Sequence, residues 1–311
     1  MKKSSEKRTN IKSTVLVVCG PTATGKSDIA VLLAQKYNGE IISADSRQVY
    51  KGMDLGSGKI TKREMKKIPH HLLDVADPKK ARYTVEKFKR DGEKAITGIV
   101  SRGKLPIVCG GTGFYIDALV NGIIFPDVPP NEKLRSTLSK KSVETLMKEL
   151  VKLDPKRAKH IDMHNKVRII RAIEIARTLG KVPKIQKVSP YNVIAIGLTL
   201  DKENLAEKIH VRLMKRIKQG MVVEILKLKT SGVSWKRLEA FGLEYRYIAL
   251  YLQKKLSKKE ALETLEKEII QYAKRQMTWF LRDTNIEWFK PTEITKIERF
   301  VSKSIRDSVS K

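Results

Sequence analysis

The sequence is short of cysteine, of long apolar runs and of acidic residues, and each scarcity removes a class of protein. Cys19 and Cys109 are the only cysteines in 311 residues. Each ends an apolar run and precedes a glycine, which suits two buried thiols better than a disulfide, and two sulfurs are too few for a Cys-rich zinc site. No stretch reaches the roughly eighteen consecutive apolar residues that a membrane-spanning helix requires, so no membrane partner is expected. Residues 1–12 are basic with no apolar segment behind them. They read as a disordered tail and not as a secretory signal, and a cytoplasmic location is expected. Acidic residues number 34 against 64 Lys and Arg, for a net charge of +30. A compact chain this basic repels itself unless an anion accompanies it, and nucleic acid is the leading partner. The alternative is a lysine-rich, solvated set of helix faces.

What is present is organised as strand, glycine turn and helix. Apolar runs at Val15–Cys19, Glu40–Ala44, Pro106–Cys109 and Val193–Leu200 lack alternation, as strands covered on both faces do. Helical patterns at Ser27–Tyr37 and Val85–Val100 stop near glycines. The fold class this predicts is α/β, a P-loop NTPase-like parallel sheet flanked by helices. After Pro126, Pro129 and Pro130, the segment Glu132–Leu179 reads as helix throughout, an all-helical insertion. Lys202–Thr230 reads as one long helix. Another opens at the capping box Ser257–Glu260 and runs through Leu281. The domain organisation expected is a tail over 1–12, a core over 13–122 and 190–311 with C-terminal helices, and the insertion over 123–189.

Gly20, Pro21, Thr22, Ala23, Thr24, Gly25, Lys26 and Ser27 fit GxxxxGK[ST] after a strand and before a helix. Such a loop wraps backbone N–H groups around phosphate oxygens, Lys26 neutralises them, and the Ser27 hydroxyl is a magnesium ligand. Phosphoryl transfer also needs a metal-holding acid at the end of a further strand. The candidate strand Pro106–Cys109 ends instead in Gly110, Gly111, Thr112 and Gly113. Asp201 closes another apolar run but is more simply the N-cap of the helix after it. The loop therefore suits a diphosphate held as a leaving group. Asp45 ends the strand Ile41–Ala44 at the sheet edge where α/β folds bind ligands. A carboxylate there suits a general base for an amine or alcohol, and equally a cap of the following turn. His70 and His71 are adjacent and diverge, and the other histidines lack a metal-ligand spacing. Lys274 and Arg275 precede Trp279 and Phe280. Basic and aromatic neighbours grip single-stranded RNA, and a core stripe with a basic outer face is the other reading.

These pieces join in one order: GPTATGKS at Gly20–Ser27, SADSRQVYKGMDLGSGK at Ser43–Lys59, PHHLLD at Pro69–Asp74, GGTGFYIDAL at Gly110–Leu119, RxxRAIE at Arg168–Glu174 and AKRQMTWF at Ala273–Phe280. In this order the sequence resembles the bacterial tRNA dimethylallyltransferase family from about Thr14 to Leu281. The resemblance implies transfer of the dimethylallyl group of dimethylallyl diphosphate to N6 of the adenosine 3′ of the anticodon. Magnesium would be the cofactor, the tRNA anticodon stem-loop the macromolecular partner, and a monomer the expected state. It further implies that Thr22–Ser27 bind the diphosphate, that Arg212 helps hold it, and that Asp45 accepts the N6 proton. Thr112 joins these in the catalytic set. Asp45, Ser46, Arg47, Gln48, Thr112, Arg135, Val167, Arg168 and Arg171 match tRNA-contacting positions. The chain departs from the family at Gly242–Arg246, where a GYKE-like turn is common, and at Ile60, where proline is common. Its insertion is short, and the zinc finger of eukaryotic relatives is absent. Competing readings are a prenyltransferase acting on free AMP or ATP, a small-molecule P-loop kinase, and a basic RNA-binding module.

Overall fold

The computed structural model describes residues 12–80 and 82–309. Of the basic tail, residues 1–11 lie outside the described residues. From the N-terminus run β1 (Thr14–Cys19), α1 (Lys26–Lys36), β2 (Gly39–Ser43), β3 (His70–His71), α2 (Val85–Ser101), β4 (Leu105–Gly110) and α3 (Gly113–Val120). Next come β5 (Ile123–Ile124), α4 (Glu132–Ser139), α5 (Val143–Leu153), α6 (Pro155–Ala158), α7 (Lys166–Leu179) and β6 (Gln186–Lys187). The chain then continues through β7 (Asn192–Leu198), α8 (Lys202–Lys218), α9 (Met221–Thr230), α10 (Trp235–Phe241), α11 (Leu243–Leu252), α12 (Lys258–Phe280), β8 (Ile286–Phe289) and α13 (Ile294–Val309). Ile123–Val188 forms one compact unit, and the chain on either side of it forms the other.

Six strands make a parallel sheet in the order β3-β2-β4-β1-β7-β8. Its centre shows why the apolar runs do not alternate. Val15, Val17 and Cys19 of β1 face a cluster with Phe88, Ile96 and Ile99 of α2. Leu16 and Val18 face the opposite cluster, with Ile29, Leu33 and Val301. With helices on both faces, every other residue is buried on one side and the rest on the other. A third cluster, Val49, Met53, Leu213, Ile225, Tyr245 and Leu265 among its members, packs the C-terminal helices against the loop that follows β2.

Two expected helices are broken. Glu132–Leu179 holds four helices, because Asn131, Ser142, Asp154 and Asn165 each accept a backbone N–H with their side chain and start a new helix. Lys202–Thr230 breaks at Gly220, which sits at φ 101° between α8 and α9. The apolar spacing continues across these points, so periodicity alone passes over them. The capping box at Ser257 is present, with both reciprocal bonds formed.

Glu40 ties the edge of the sheet together. Its buried carboxylate accepts Arg102 Nη2 and His71 Nε2 at 2.7 Å and Lys104 Nζ at 3.0 Å. Arg102 foremost, with His71 and Lys104, outweighs the opposing effect of burial and holds this carboxyl at about 2. A lowered pKa stabilises the fold above the ordinary value of 4.5, and the contribution disappears as pH falls through about 2. Glu40→Gln is therefore expected to cost about 1–3 kcal/mol at neutral pH, because the freed cations are partly exposed and rehydrate. In urea titrations its deficit against the parent is expected to shrink between pH 4.5 and pH 2; a deficit independent of pH would contradict this role.

Candidate active site

Parallel strands bring their carboxyl ends to one side of the sheet, and the candidate residues follow from that geometry. The loop after β1 is the glycine-rich motif, Asp45 lies two residues beyond β2, and Thr112 lies two beyond β4. Thr22, Lys26, Ser27, Asp45, Arg47, Gln48 and Arg212 all line one cavity of about 970 Å³.

The phosphate loop is closed by its own side chains and by α12. Thr24 Oγ1 donates to Pro21 O at 2.9 Å, and Lys26 Nζ donates to the same carbonyl. Gln276, buried on α12, accepts Thr22 N at 2.9 Å and donates to Gly111 O at 2.8 Å. One side chain thus fixes the loops after β1 and β4. Arg212 Nη1 donates to Thr22 Oγ1 at 3.4 Å, and Arg216, four residues on and on the same face of α8, donates to Glu244 Oε1 at 3.4 Å.

Cations converge here at an energetic cost. Burial, with nearby Arg212 adding to it, lowers Lys26 to about 8. Burial and the adjacent Arg216 lower Arg212 to about 10. Burial also pushes the Glu244 carboxyl up from its ordinary value. Positive groups depressed together in a cavity mark a place where an anion would offset the penalty.

Asp45 is held by the turn it begins. Its Oδ1 accepts Arg47 N at 2.7 Å and Gln48 N at 3.2 Å, while the residue lines the cavity. The capping and catalytic readings are thus compatible, since the two N–H bonds fix the carboxylate's direction. Thr112 Oγ1 accepts Ser46 N at 3.2 Å, tying the loop after β4 to the DSRQ segment. The Thr112 hydroxyl also bonds the phenol of Tyr272, which burial, with the charge of Asp45 adding to it, pushes up to about 12. Arg47 Nε donates to Phe241 O at 2.6 Å, and Gln48 Nε2 to Gly58 O at 3.2 Å.

No carboxylate follows β4. At Gly110 a Cβ would run into the backbone of Ala44, and at Gly111 it would strike Gln276, so the strand end admits no side chain. Asp201 caps α8, accepting Asn204 N at 2.9 Å. Among the described residues no group of three or more His, Cys, Asp or Glu side chains could hold a metal ion. His70 bonds Ile68 O at 2.8 Å and His71 bonds Glu40.

The remaining candidates lie elsewhere. In the helical unit, Glu174 is buried and receives Arg135 Nε at 2.9 Å, Arg135 Nη2 at 2.7 Å and Arg171 Nη1. Burial acts to raise its pKa, but Arg135, Asn131 and Arg171 prevail and hold it below the ordinary value. Val167 and Arg168 are exposed on the same helix as Arg171. On α12, Lys274 and Arg275 are exposed, Trp279 is half-buried edge-on to Phe114, and Phe280 belongs to the core. Arg216, Tyr272 and Gln276 are site residues that sequence reasoning did not single out. Only Arg216 carried a local signal, its place one helical turn after Arg212.

A family model described as IPP transferase matches residues 48–283. The chain is 44% identical over 277 residues to "tRNA dimethylallyltransferase 2" of Treponema denticola, covering 87% of this chain and 92% of that one. A crystal structure of the full-length tRNA isopentenylpyrophosphate transferase from Bacillus halodurans superposes with a TM-score of 0.75 at 35% identity, over 96% of this chain and 99% of that one. A eukaryotic dimethylallyltransferase acting on tRNA superposes with a TM-score of 0.79 at 27% identity, over 94% of this chain and 77% of that one.

Proposed function

This chain belongs to the IPP transferase family, and from that premise we propose how its cavity works as a tRNA dimethylallyltransferase. The donor is dimethylallyl diphosphate and the acceptor is N6 of the adenosine 3′-adjacent to the anticodon. The observation that carries the reading is one cavity lined by the phosphate loop, Arg212 and Asp45, with glycines where a phosphoryl-transfer enzyme needs an acid.

In the reaction the N6–C1 bond forms and the C1–oxygen bond of the donor breaks. The N6 proton passes to Asp45, and the departing diphosphate takes the C–O electron pair. Lys26, Arg212 and the loop N–H groups stabilise the charge growing on that oxygen. Adenine must leave the base stack to present N6, and contacts to the neighbouring phosphates offset the cost of a few kcal/mol. Arg47, Gln48 and Thr112 stand beside Asp45 to meet the extruded nucleotide. Arg135, Val167, Arg168 and Arg171, with Lys274 and Arg275, serve the tRNA backbone. The donor set fits magnesium. Ser27 offers an exposed hydroxyl directly after Lys26, and this ion is typically held by one or two protein oxygens, substrate phosphates and water. Bound there, it would neutralise diphosphate charge. The chain acts as a monomer in this proposal, since every group invoked comes from one copy.

The test is to incubate the protein with radiolabelled dimethylallyl diphosphate and either unmodified tRNA or AMP. Label is expected in tRNA as N6-isopentenyladenosine, with little in AMP. Transfer to AMP alone would favour the free-nucleotide prenyltransferase, and phosphate transfer from ATP would favour a kinase.

A further inference from the structure

The loop from Asp54 to Lys59 forms one wall of the cavity. We propose that Glu224 is a positioning residue of the diphosphate site: by gathering three backbone amides of this loop, it sets the surface against which Arg212 and Arg216 align. The inference rests on reading the cavity as a diphosphate site.

Glu224 stands in the first turn of α9. Its Oε2 accepts Asp54 N at 3.0 Å and Leu55 N at 2.6 Å, and its Oε1 accepts Gly56 N at 3.0 Å and Tyr245 Oη at 3.1 Å. Three successive N–H groups around one anion form a nest of the kind that binds phosphate. Here the protein's own carboxylate closes it. Tyr245 is fully buried, and a Cβ on Gly56 would strike its ring, so carboxylate, phenol and loop pack as one unit.

Two residues further on, the loop reaches the arginines. Gly58 has φ +62°, and a Cβ there would collide with Nη2 of both Arg212 and Arg216. Its carbonyl accepts Gln48 Nε2 at 3.2 Å, which links the loop to the DSRQ segment. The far end is also fixed, because Lys59 Nζ bonds Asp54 Oδ1 and Asp74 Oδ1, each at 2.6 Å. The backbone at Gly58 is therefore the floor on which two guanidinium groups rest, and Glu224 anchors that floor without touching substrate.

A residue with only a structural role would lower stability and leave the donor and acceptor constants in proportion. A positioning residue moves the donor constant alone. Glu224→Gln keeps the size and places an NH2 group against an N–H donor, so at least one amide loses its acceptor. In calorimetric titrations of the full chain with magnesium and inorganic pyrophosphate, its affinity is expected to fall roughly tenfold. In steady-state transfer, KM for dimethylallyl diphosphate is expected to rise by a similar factor while KM for tRNA stays within about twofold. Tyr245→Phe, which removes the phenol that donates to Glu224 Oε1 and leaves the arginines untouched, is expected to show the same split in smaller measure and decides the matter if the glutamine variant fails to fold. Wild-type pyrophosphate affinity in a folded Glu224→Gln variant, or equal rises in both KM values, would overturn the inference. Failure of the broader reading looks different: the wild-type chain itself would bind no pyrophosphate.

Discussion

Asp45→Asn is expected to lower kcat by about 10²- to 10⁴-fold, the range over which a positioned general base acts, while tRNA affinity stays within a few-fold. Asparagine is the decisive substitution because of the two jobs the side chain holds. The amide oxygen can still accept Arg47 N and Gln48 N, the bonds that Oδ1 now takes at 2.7 and 3.2 Å. The turn therefore survives, but the group can no longer take a proton. Asp45→Ala removes both functions. If asparagine restores the turnover that alanine loses, Asp45 is a cap and another group receives the N6 proton. If both variants are equally inactive and both bind tRNA, the loss lies in the chemistry.

Lys26→Ala is expected to weaken donor binding and lower kcat/KM together, by about 10²- to 10³-fold, as removal of one charge-stabilising donor does. The same group predicts a pH dependence with two opposite signs. In the free enzyme Lys26 loses its charge above about 8, so kcat/KM for the donor is expected to decline above that pH. Folding stability runs the other way. The unfolded chain holds this proton up to the ordinary value of 10.5, so between about 8 and 10.5 the unfolded state binds more protons and Lys26's contribution to stability grows with pH. Bound diphosphate reverses that trend by raising the lysine's pKa. Measuring thermal stability against pH with and without pyrophosphate would expose the crossing; parallel curves would separate Lys26 from the anion.

The two groups in these predictions were legible in the sequence for a shared reason. A phosphate loop is a contiguous string between a strand and a helix, and Asp45 follows its strand by two residues, so both placements are local and the parallel sheet does the rest. Arg212 came only through the family resemblance. Gln276, Tyr272, Arg216 and Glu224 were not singled out because their roles depend on how the C-terminal helices pack over the sheet edge. The bond from Gln276 to Thr22 spans 254 residues, and no spacing rule reaches across that distance. Helix breaks were lost for another reason. A single Ser142 or Asn165 changes the hydrogen-bonding of a terminus without disturbing the apolar stripe. Strand β8 was too short to signal itself, since IEWF gains its place by pairing with β7 at the sheet's edge.

Carbon transfer in this cavity requires that diphosphate and amine meet between Lys26 and Asp45, and a crystal structure of the full chain with an anticodon stem-loop and a non-reactive dimethylallyl thiodiphosphate shows it directly. The predicted result has the diphosphate oxygens within hydrogen-bonding distance of Lys26, Arg212 and the loop amides, with N6 of the extruded adenine about 2.6–3.2 Å from the Asp45 carboxylate. An adenine still stacked in its loop, or an N6 that approaches some other group while Asp45 stays bound only to its own turn, would contradict it.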